Sequence, residues 1–323
     1  MSNVSAQPVI KNELPLKARK VPAKTTEPKL IKKDIWLYIL LIPGALHFII
    51  FKYLPMWGIL ISFQDFNPYL GFFKSPWVGF KNFIDFFTNP DFGQLFVNTL
   101  IVSFYNIFFA FPAPIILALL LNEVRRRWFQ RTIQTFVYIP HFISWVIVAS
   151  LTFTLFNSDG AVNRLIMASG GQPIPFLTSP DTFRWMIVGQ TIWKETGFGT
   201  IIYLAALAGV DVQLYEAAII DGANRLRQVW HITLPALKST VVILLILRLG
   251  HVLDNGFDQI FLMSNSLNRS VSNVFDVFVY IMGITRGAFS YSTAVGLFKS
   301  LIGIILIFSA NKLAKKVGES GVF

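Results

Sequence analysis

Six long apolar blocks dominate the chain, at roughly 35–62, 94–122, 133–156, 182–208, 236–262 and 288–311, with shorter polar stretches between them. Each is long enough to cross a hydrocarbon core of ~30 Å as a helix, which takes about 20 residues. The pattern predicts an all-α polytopic membrane protein with six transmembrane helices. The first block is longer than a crossing needs, so it should tilt, kink near Pro55 or project beyond the bilayer. Pro112 and Pro114 interrupt the second block and Pro140 the third. Such breaks are tolerated where neighbouring helices satisfy the freed carbonyls. Ahead of the blocks, residues 1–34 are polar and punctuated by Pro8, Pro15, Pro22 and Pro28, which predicts a disordered tail. The early apolar stretch and small-residue cleavage site of a secretory signal are missing, so the first block is expected to stay as an anchor. The organisation is then a tail over 1–34, a membrane domain over 35–314 and a short C-terminal end over 315–323.

Composition agrees with this pattern. Of 323 residues, 54% are hydrophobic and only 14% charged, an excess that calls for an apolar solvent rather than a larger soluble core. The net charge of +11 would point to nucleic acid in a soluble protein. Here the basic residues sit in short segments between apolar blocks, which is the pattern that orients a membrane protein. With the N-terminus inside, 18 Lys and Arg fall on the inner side and 6 on the outer side. The inner set is the tail, Arg125, Arg126, Arg127 and Arg131, then Arg225, Arg227 and Lys238, then Lys312, Lys315 and Lys316. Both termini are expected in the cytoplasm of a cell whose plasma membrane the chain spans. On the outer side, Trp77, Phe80, Phe83, Phe86 and Phe87 suggest a short interfacial helix or an aromatic belt at the span ends.

Several chemistries have no residues to carry them. There is no cysteine, so no thiol nucleophile, disulfide or thiolate metal site. No GxxxxGK[ST] loop, HExxH, GxSxG or EF-hand loop occurs. The histidines, His47, His141, His231 and His251, have no metal-ligand spacing. Ser169-Gly170-Gly171-Gln172 looks like part of an ATPase signature but falls in an outer loop, where a turn is the simpler reading. The chain is expected to be no enzyme, to hold no cofactor or metal, and to hydrolyse no ATP by itself.

The segment 209–235 differs from the other connections. Asp211 can cap a short helix over Val212–Ile220, Gly222 can end it with positive φ, and a second short helix should run to about Trp230. Pro235 then falls at the start of the fifth span, where its missing N–H costs little. Ala217 and Ala218 leave room for close approach by another protein, and Glu216 and Asp221 place carboxylates at the helix ends. An amphipathic connector on the membrane surface has the same composition. The spacing is more telling. Glu216-Ala217-Ala218, then Gly222 six residues after the glutamate, then Ile232-Thr233-Leu234-Pro235 ten residues after the glycine, resembles the EAA motif of ABC importer permeases. Asp221 and Ala223 resemble its sugar-permease form, although Val212 stands where that branch often has proline. Tyr38 to Gly44, Asn98-Thr99-Leu100 and Phe257 to Leu262 also look like permeases of bacterial oligosaccharide importers, those for alginate- and pectin-derived oligosaccharides among them.

The resemblance implies an ABC importer permease fold and a role as the membrane channel subunit of an ATP-driven importer. The 209–235 loop would be the coupling helix, with Glu216, Ala217, Ala218, Asp221, Gly222 and Ala223 docking into an ATPase subunit. The implied partners are a second homologous permease, two ABC ATPase subunits that bind ATP and Mg, an extracytoplasmic solute-binding protein and an oligosaccharide. Charged groups in a span cost roughly 2.5–3.5 kcal/mol each, yet Lys194, Glu195, Arg248, Asp254, Asp258 and Lys299 all fall inside spans. They either pair with one another or line a water-filled path, together with Gln190, Trp193, Asn255 and Gln259. Cations near the middle of the spans would suit an acidic sugar, and Trp193 could stack on a sugar ring. The alternative class is an ion-coupled secondary sugar carrier working through the intramembrane carboxylates. A membrane enzyme would need a nucleophile, a metal set or an acid/base pair, and none is evident.

Overall fold

The structure, a computed structural model, describes residues 35–318, 321 and 322, and the tail 1–34 lies outside the described residues. No strand longer than one residue pair occurs among these residues. The helices are α1 (Ile35–Phe63), α2 (Lys81–Phe87), α3 (Phe92–Asn122), α4 (Arg127–Tyr138), α5 (Trp145–Phe156), α6 (Ala161–Ala168), α7 (Pro180–Ala208), α8 (Val212–Ile220), α9 (Arg225–Gly250), α10 (Phe257–Met263), α11 (Phe275–Thr285) and α12 (Phe289–Lys316). Five stretches are long and apolar enough to span a membrane: α1, α3, Trp145–Ala168, α9 and α12. The sixth, α7, passes only together with α8, from which it is bent by 72°. The reason is its composition, with Arg184, Gln190, Lys194 and Glu195 interrupting the apolar run.

Residues 35–56 form a unit of their own. Every residue from 35 to 56 is exposed, so this apolar helix buries nothing within the unit. Helical geometry changes from α to a π turn at Ile49–Tyr53 and then to 3-10 from Leu54. That is where Pro55 withholds its N–H from the α ladder.

Residues 57–323 form the second unit. Three apolar clusters run through it. One joins α3, α5, α7, α10 and α11 through Val102, Ala149, Ile187, Ile260 and Val277. A second joins α2, α3, α11 and α12 around Phe86 and Phe275. A third joins α3, α7 and α9 through Ala118, Tyr203, Leu207 and Leu237. Small residues set the closest crossings. A Cβ at Gly197 would overlap the Val137 carbonyl oxygen, where α7 crosses α4. One at Gly303 would come within 2.5 Å of the Gly250 carbonyl oxygen, where α12 crosses α9.

Four sequence expectations need correction in detail. The third block does not form one helix over 133–156. α4 ends at Tyr138, a 3-10 turn covers Ile139–Phe142, Ile143 is extended, and Ser144 caps α5 by accepting from Ile147 N. Pro140 cannot donate to that ladder, and the chain turns extended three residues later, at Ile143. The fifth block breaks likewise over 251–256, where Gly256 takes φ 79° before α10. Its start differs in one respect: Pro235 does lie in the first turn of the α segment Leu234–Gly250, but a π turn at Val229–Thr233 joins that segment to the preceding short helix, so α9 is continuous. Residues 263–287, expected outside the spans, contain the apolar helix α11.

The aromatic segment 77–87 is only partly superficial. Trp77 and Phe80 are exposed, but Phe86 is fully buried. Phe92 lies 5.0 Å and Phe298 5.4 Å from it, centre to centre and edge-to-face. That arrangement suits the ring quadrupoles and fastens α2 to α3 and α12.

The Gly197 contact gives a direct check. Gly197→Val should disrupt the α4–α7 crossing, because backbone rather than a pliable side chain blocks the added carbon. The expected loss is at least the ~1–3 kcal/mol of an overpacked core, read as a lower unfolding temperature in detergent. Gly189→Ala, which would meet nothing within 4 Å, should keep that temperature or raise it slightly, since alanine is the better helix former.

Candidate functional site

Two regions carry the candidate residues. The first is the loop between α7 and α9. Asp211 accepts from Gln213 N at 2.9 Å and starts α8. Ala223 N donates to Ala218 O at 2.8 Å across Gly222, whose φ is 77°. This closes the helix in the manner of a glycine C-cap, a conformation that a side chain resists. Asn224 then accepts from Arg227 N at 2.9 Å and opens α9 without a gap.

Glu216, Ala217, Asp221 and Gly222 are all exposed, and Ala218 and Ala223 are half-buried. Val212, Leu214, Ile219 and Ile220 are exposed as well, so α8 shows apolar surface that no described residue covers. Two side-chain contacts hold the loop to the bundle. The Tyr215 and Thr233 hydroxyls lie 3.0 Å apart, tying α8 to the π turn of α9. Arg225 donates to Glu123 at 2.8 Å, tying α9 to the end of α3.

The second region is the charged midsection. Lys194 donates to the His141 carbonyl at 2.5 Å, a backbone group released by the break after α4. Its ammonium is also 3.5 Å from Glu195 and 5.3 Å from the centre of the Trp145 ring. Glu195 in turn meets His141 Nδ1 at 2.8 Å, and the His141 ring stacks on Phe198 at 3.9 Å. Although Lys194 and Glu195 leave α7 in different directions, both reach the same break.

Around the other break, Lys299 of α12 pairs with Asp254 at 2.5 Å and with Asp276 of α11. His251 meets Asp254 at 3.0 Å, and Asp276 also accepts from Asn255 N at 3.1 Å. A cavity of about 330 Å³ opens beside this group, lined by His251, Asp254, Lys299 and Ser300.

The remaining candidates divide cleanly. Gln190, Asn255 and Gln259 are buried. Gln259 donates to Gln190 at 2.9 Å and to the Ile187 carbonyl at 2.7 Å, while Gln190 donates to Thr152 at 2.7 Å. Asn255 donates to the Thr99 carbonyl at 3.1 Å. Trp193 is half exposed and borders an apolar cavity of about 600 Å³ with Trp185, Leu151 and Phe156. Asp258 is exposed and Arg248 half-buried, and neither side chain has a hydrogen bond or ion pair among the described residues.

The internal pairing that the sequence allowed is therefore partial: Lys194 and Lys299 meet acids, while Arg248 and Asp258 do not. Asp276, rather than Asp258, is the second acid on Lys299. Sequence reading missed Asp276 because it placed 263–287 outside the spans, and missed His141 and Glu123 because only tertiary packing brings them to Glu195 and Arg225. No cluster of three or more metal-ligand side chains occurs among the described residues.

A family model described as "Binding-protein-dependent transport system inner membrane component" matches residues 110–319, well over half of the chain and including the whole 209–235 loop. The chain belongs to this family of inner membrane transport components. Its membership fits the bundle of long apolar helices and the stiff loop that projects from it. Protein LplB of Bacillus subtilis (strain 168) is 63% identical over 91% of this chain and 92% of its own length. The polygalacturonan/rhamnogalacturonan transport system permease protein YteP of the same organism is 54% identical over 91% and 92%. In the crystal structure of a bacterial alginate ABC transporter in complex with alginate pentasaccharide-bound periplasmic protein, one chain matches with a TM-score of 0.84 and 36% identity, over 91% of this chain and 99% of that one.

The Lys299 group generates a stability test. Lys299→Met would leave Asp254 and Asp276 facing each other without their cation. Removing one partner of a largely buried ion pair costs about 3–5 kcal/mol, so the variant should unfold at a lower temperature and be recovered in lower yield. Adding Asp276→Asn should restore part of the loss. Equal stability of the single and double variants would show that the pairing contributes nothing.

Proposed function

We propose that this chain is the permease subunit of an ATP-driven ABC importer for an oligosaccharide, and that the substrate is an acidic, uronate-containing one. The coupling half of this reading rests on α8. It is a short capped helix, exposed on its apolar side and on Glu216 and Asp221, and fastened at its root by the Tyr215–Thr233 and Arg225–Glu123 contacts. A push on such a helix passes into α9 and α3 rather than being lost in a flexible loop. Its natural partner is a cytoplasmic ATPase subunit that binds ATP and Mg, one for each of two homologous permeases. A solute-binding protein delivers the sugar on the opposite face. The acidic-substrate half draws support from the similarity to chains of alginate and polygalacturonan/rhamnogalacturonan transport systems, and from the cations set within the spans.

Two experiments test this reading. Glu216→Lys and Gly222→Trp should each lower ATP-driven uptake at least several-fold and weaken recovery of the ATPase subunit with the permease, while membrane insertion stays intact. Wild-type uptake and ATPase recovery in both variants would remove α8 from the coupling role. Uptake that persists in cells lacking the ATPase subunit would favour an ion-coupled carrier instead.

Orientation is tested separately. The distribution of basic residues, 18 on one side and 6 on the other, puts the N-terminus and α8 in the cytoplasm. A protease confined to the outer face of sealed cells should leave residues 1–34 uncut. Cleavage there would put α8 on the wrong side to meet an ATPase.

A further inference from the structure

Within the acidic-substrate reading, on which this step rests, we infer that Arg248 is the side chain that receives a substrate carboxylate in the transport path. Three cations lie within the spans, and the structure separates them. Lys194 is committed to the His141 carbonyl, Glu195 and the Trp145 face. Lys299 is committed to Asp254 and Asp276. Both are held at a helix break by acids or a carbonyl of this chain.

Arg248 differs from both. It lies in the last turn of α9, half-buried, and its guanidinium makes no hydrogen bond or ion pair with any described residue. The acids within electrostatic reach are Asp254 and Glu195, but Asp254 already holds Lys299 and His251, and Glu195 already holds His141 and Lys194. A guanidinium keeps its charge at any physiological pH and has five N–H donors to satisfy. Turning it to lipid at that depth costs roughly 2.5–3.5 kcal/mol by insertion scales. It therefore faces water or an acceptor from outside the described residues.

Neighbouring amides do not compete for that role. Both donors of Gln190 and both donors of Gln259 are used within the protein. A uronate carboxylate matches what is left, because its two oxygens accept the paired N–H groups of a guanidinium side by side. The sugar hydroxyls of a neutral oligosaccharide offer no such charge.

The test uses the intact importer, with its partner permease, ATPase subunits and solute-binding protein, reconstituted in proteoliposomes and supplied with a tetrameric oligouronate. Arg248→Lys keeps the charge, Arg248→Gln keeps hydrogen-bond donors without it, and Arg248→Met keeps neither. With complex recovered at wild-type yield, Gln and Met should each lower initial uptake roughly 10- to 100-fold, the range expected for one lost charge-assisted contact. Lys should retain most of the uptake. Equal uptake by the Gln and Lys variants would make Arg248 a hydroxyl contact and overturn the inference. Wild-type uptake by the Met variant would overturn it as well. Failure of the Met and Gln variants to assemble would assign Arg248 to an acid of the second permease instead. A wild-type importer that takes up neutral oligosaccharide but no oligouronate would sink the acidic-substrate reading itself, and this inference with it.

Discussion

A charge held at membrane depth has to be answered by another charge or by a freed backbone group, because lipid will answer neither. Much of the arrangement of this bundle follows from that constraint. Two of its helical runs are broken, at 139–144 and at 251–256, and each break exposes carbonyls and N–H groups that a continuous helix would have satisfied internally. A lysine from a long neighbouring helix reaches each break. Lys194 of α7 caps the end after α4, and Lys299 of α12 gathers Asp254 and Asp276 around the end of α9. The ions and the breaks are thus one structural feature. Either without the other would leave unmet polar groups in an apolar surrounding.

This pairing also explains how broken spans can sit in a well-packed bundle. Apolar clusters run past both breaks through Ala149 and Ile260 on one side and Val252 and Phe275 on the other. Close crossings at Gly197 and Gly303 bring backbone against backbone, as happens where small residues mediate helix association in membranes. The buried Gln190–Gln259 pair fixes α7 against α10.

The projecting loop obeys a different rule. It is held by caps rather than by burial: Asp211, Gly222 and Asn224 terminate or start helices through local hydrogen bonds. Among the described residues, two polar side-chain contacts connect it to the bundle and Val210 packs on the cluster around Leu207, while its outer apolar face stays open. A loop fixed by local geometry and unburied on one face is suited to contact with a partner subunit. The continuous run of α9 from Arg225 to Gly250 leads from that contact to the charged midsection.

Local signals account for what the sequence determined. Apolar block length set the helical class and the six crossings, because a bilayer demands about 20 residues per span whatever the neighbours are. Asp211, Gly222 and the Glu216-Ala217-Ala218 spacing marked the loop, because capping acts within a few residues of chain. Pro140 and Pro235 were both visible, but their consequences were not interchangeable: one breaks a helix, and the other lies in a continuous run just after a π turn. That difference depends on the packing that surrounds each proline. Pairing was decided only by the tertiary structure. Lys194, Arg248 and Lys299 look alike in the sequence, and the fold gives two of them partners from residues far along the chain, His141 and Asp276, while leaving the third without one. An ion pair joins groups close in space, and no pattern along a single chain states which distant acid will arrive beside which base.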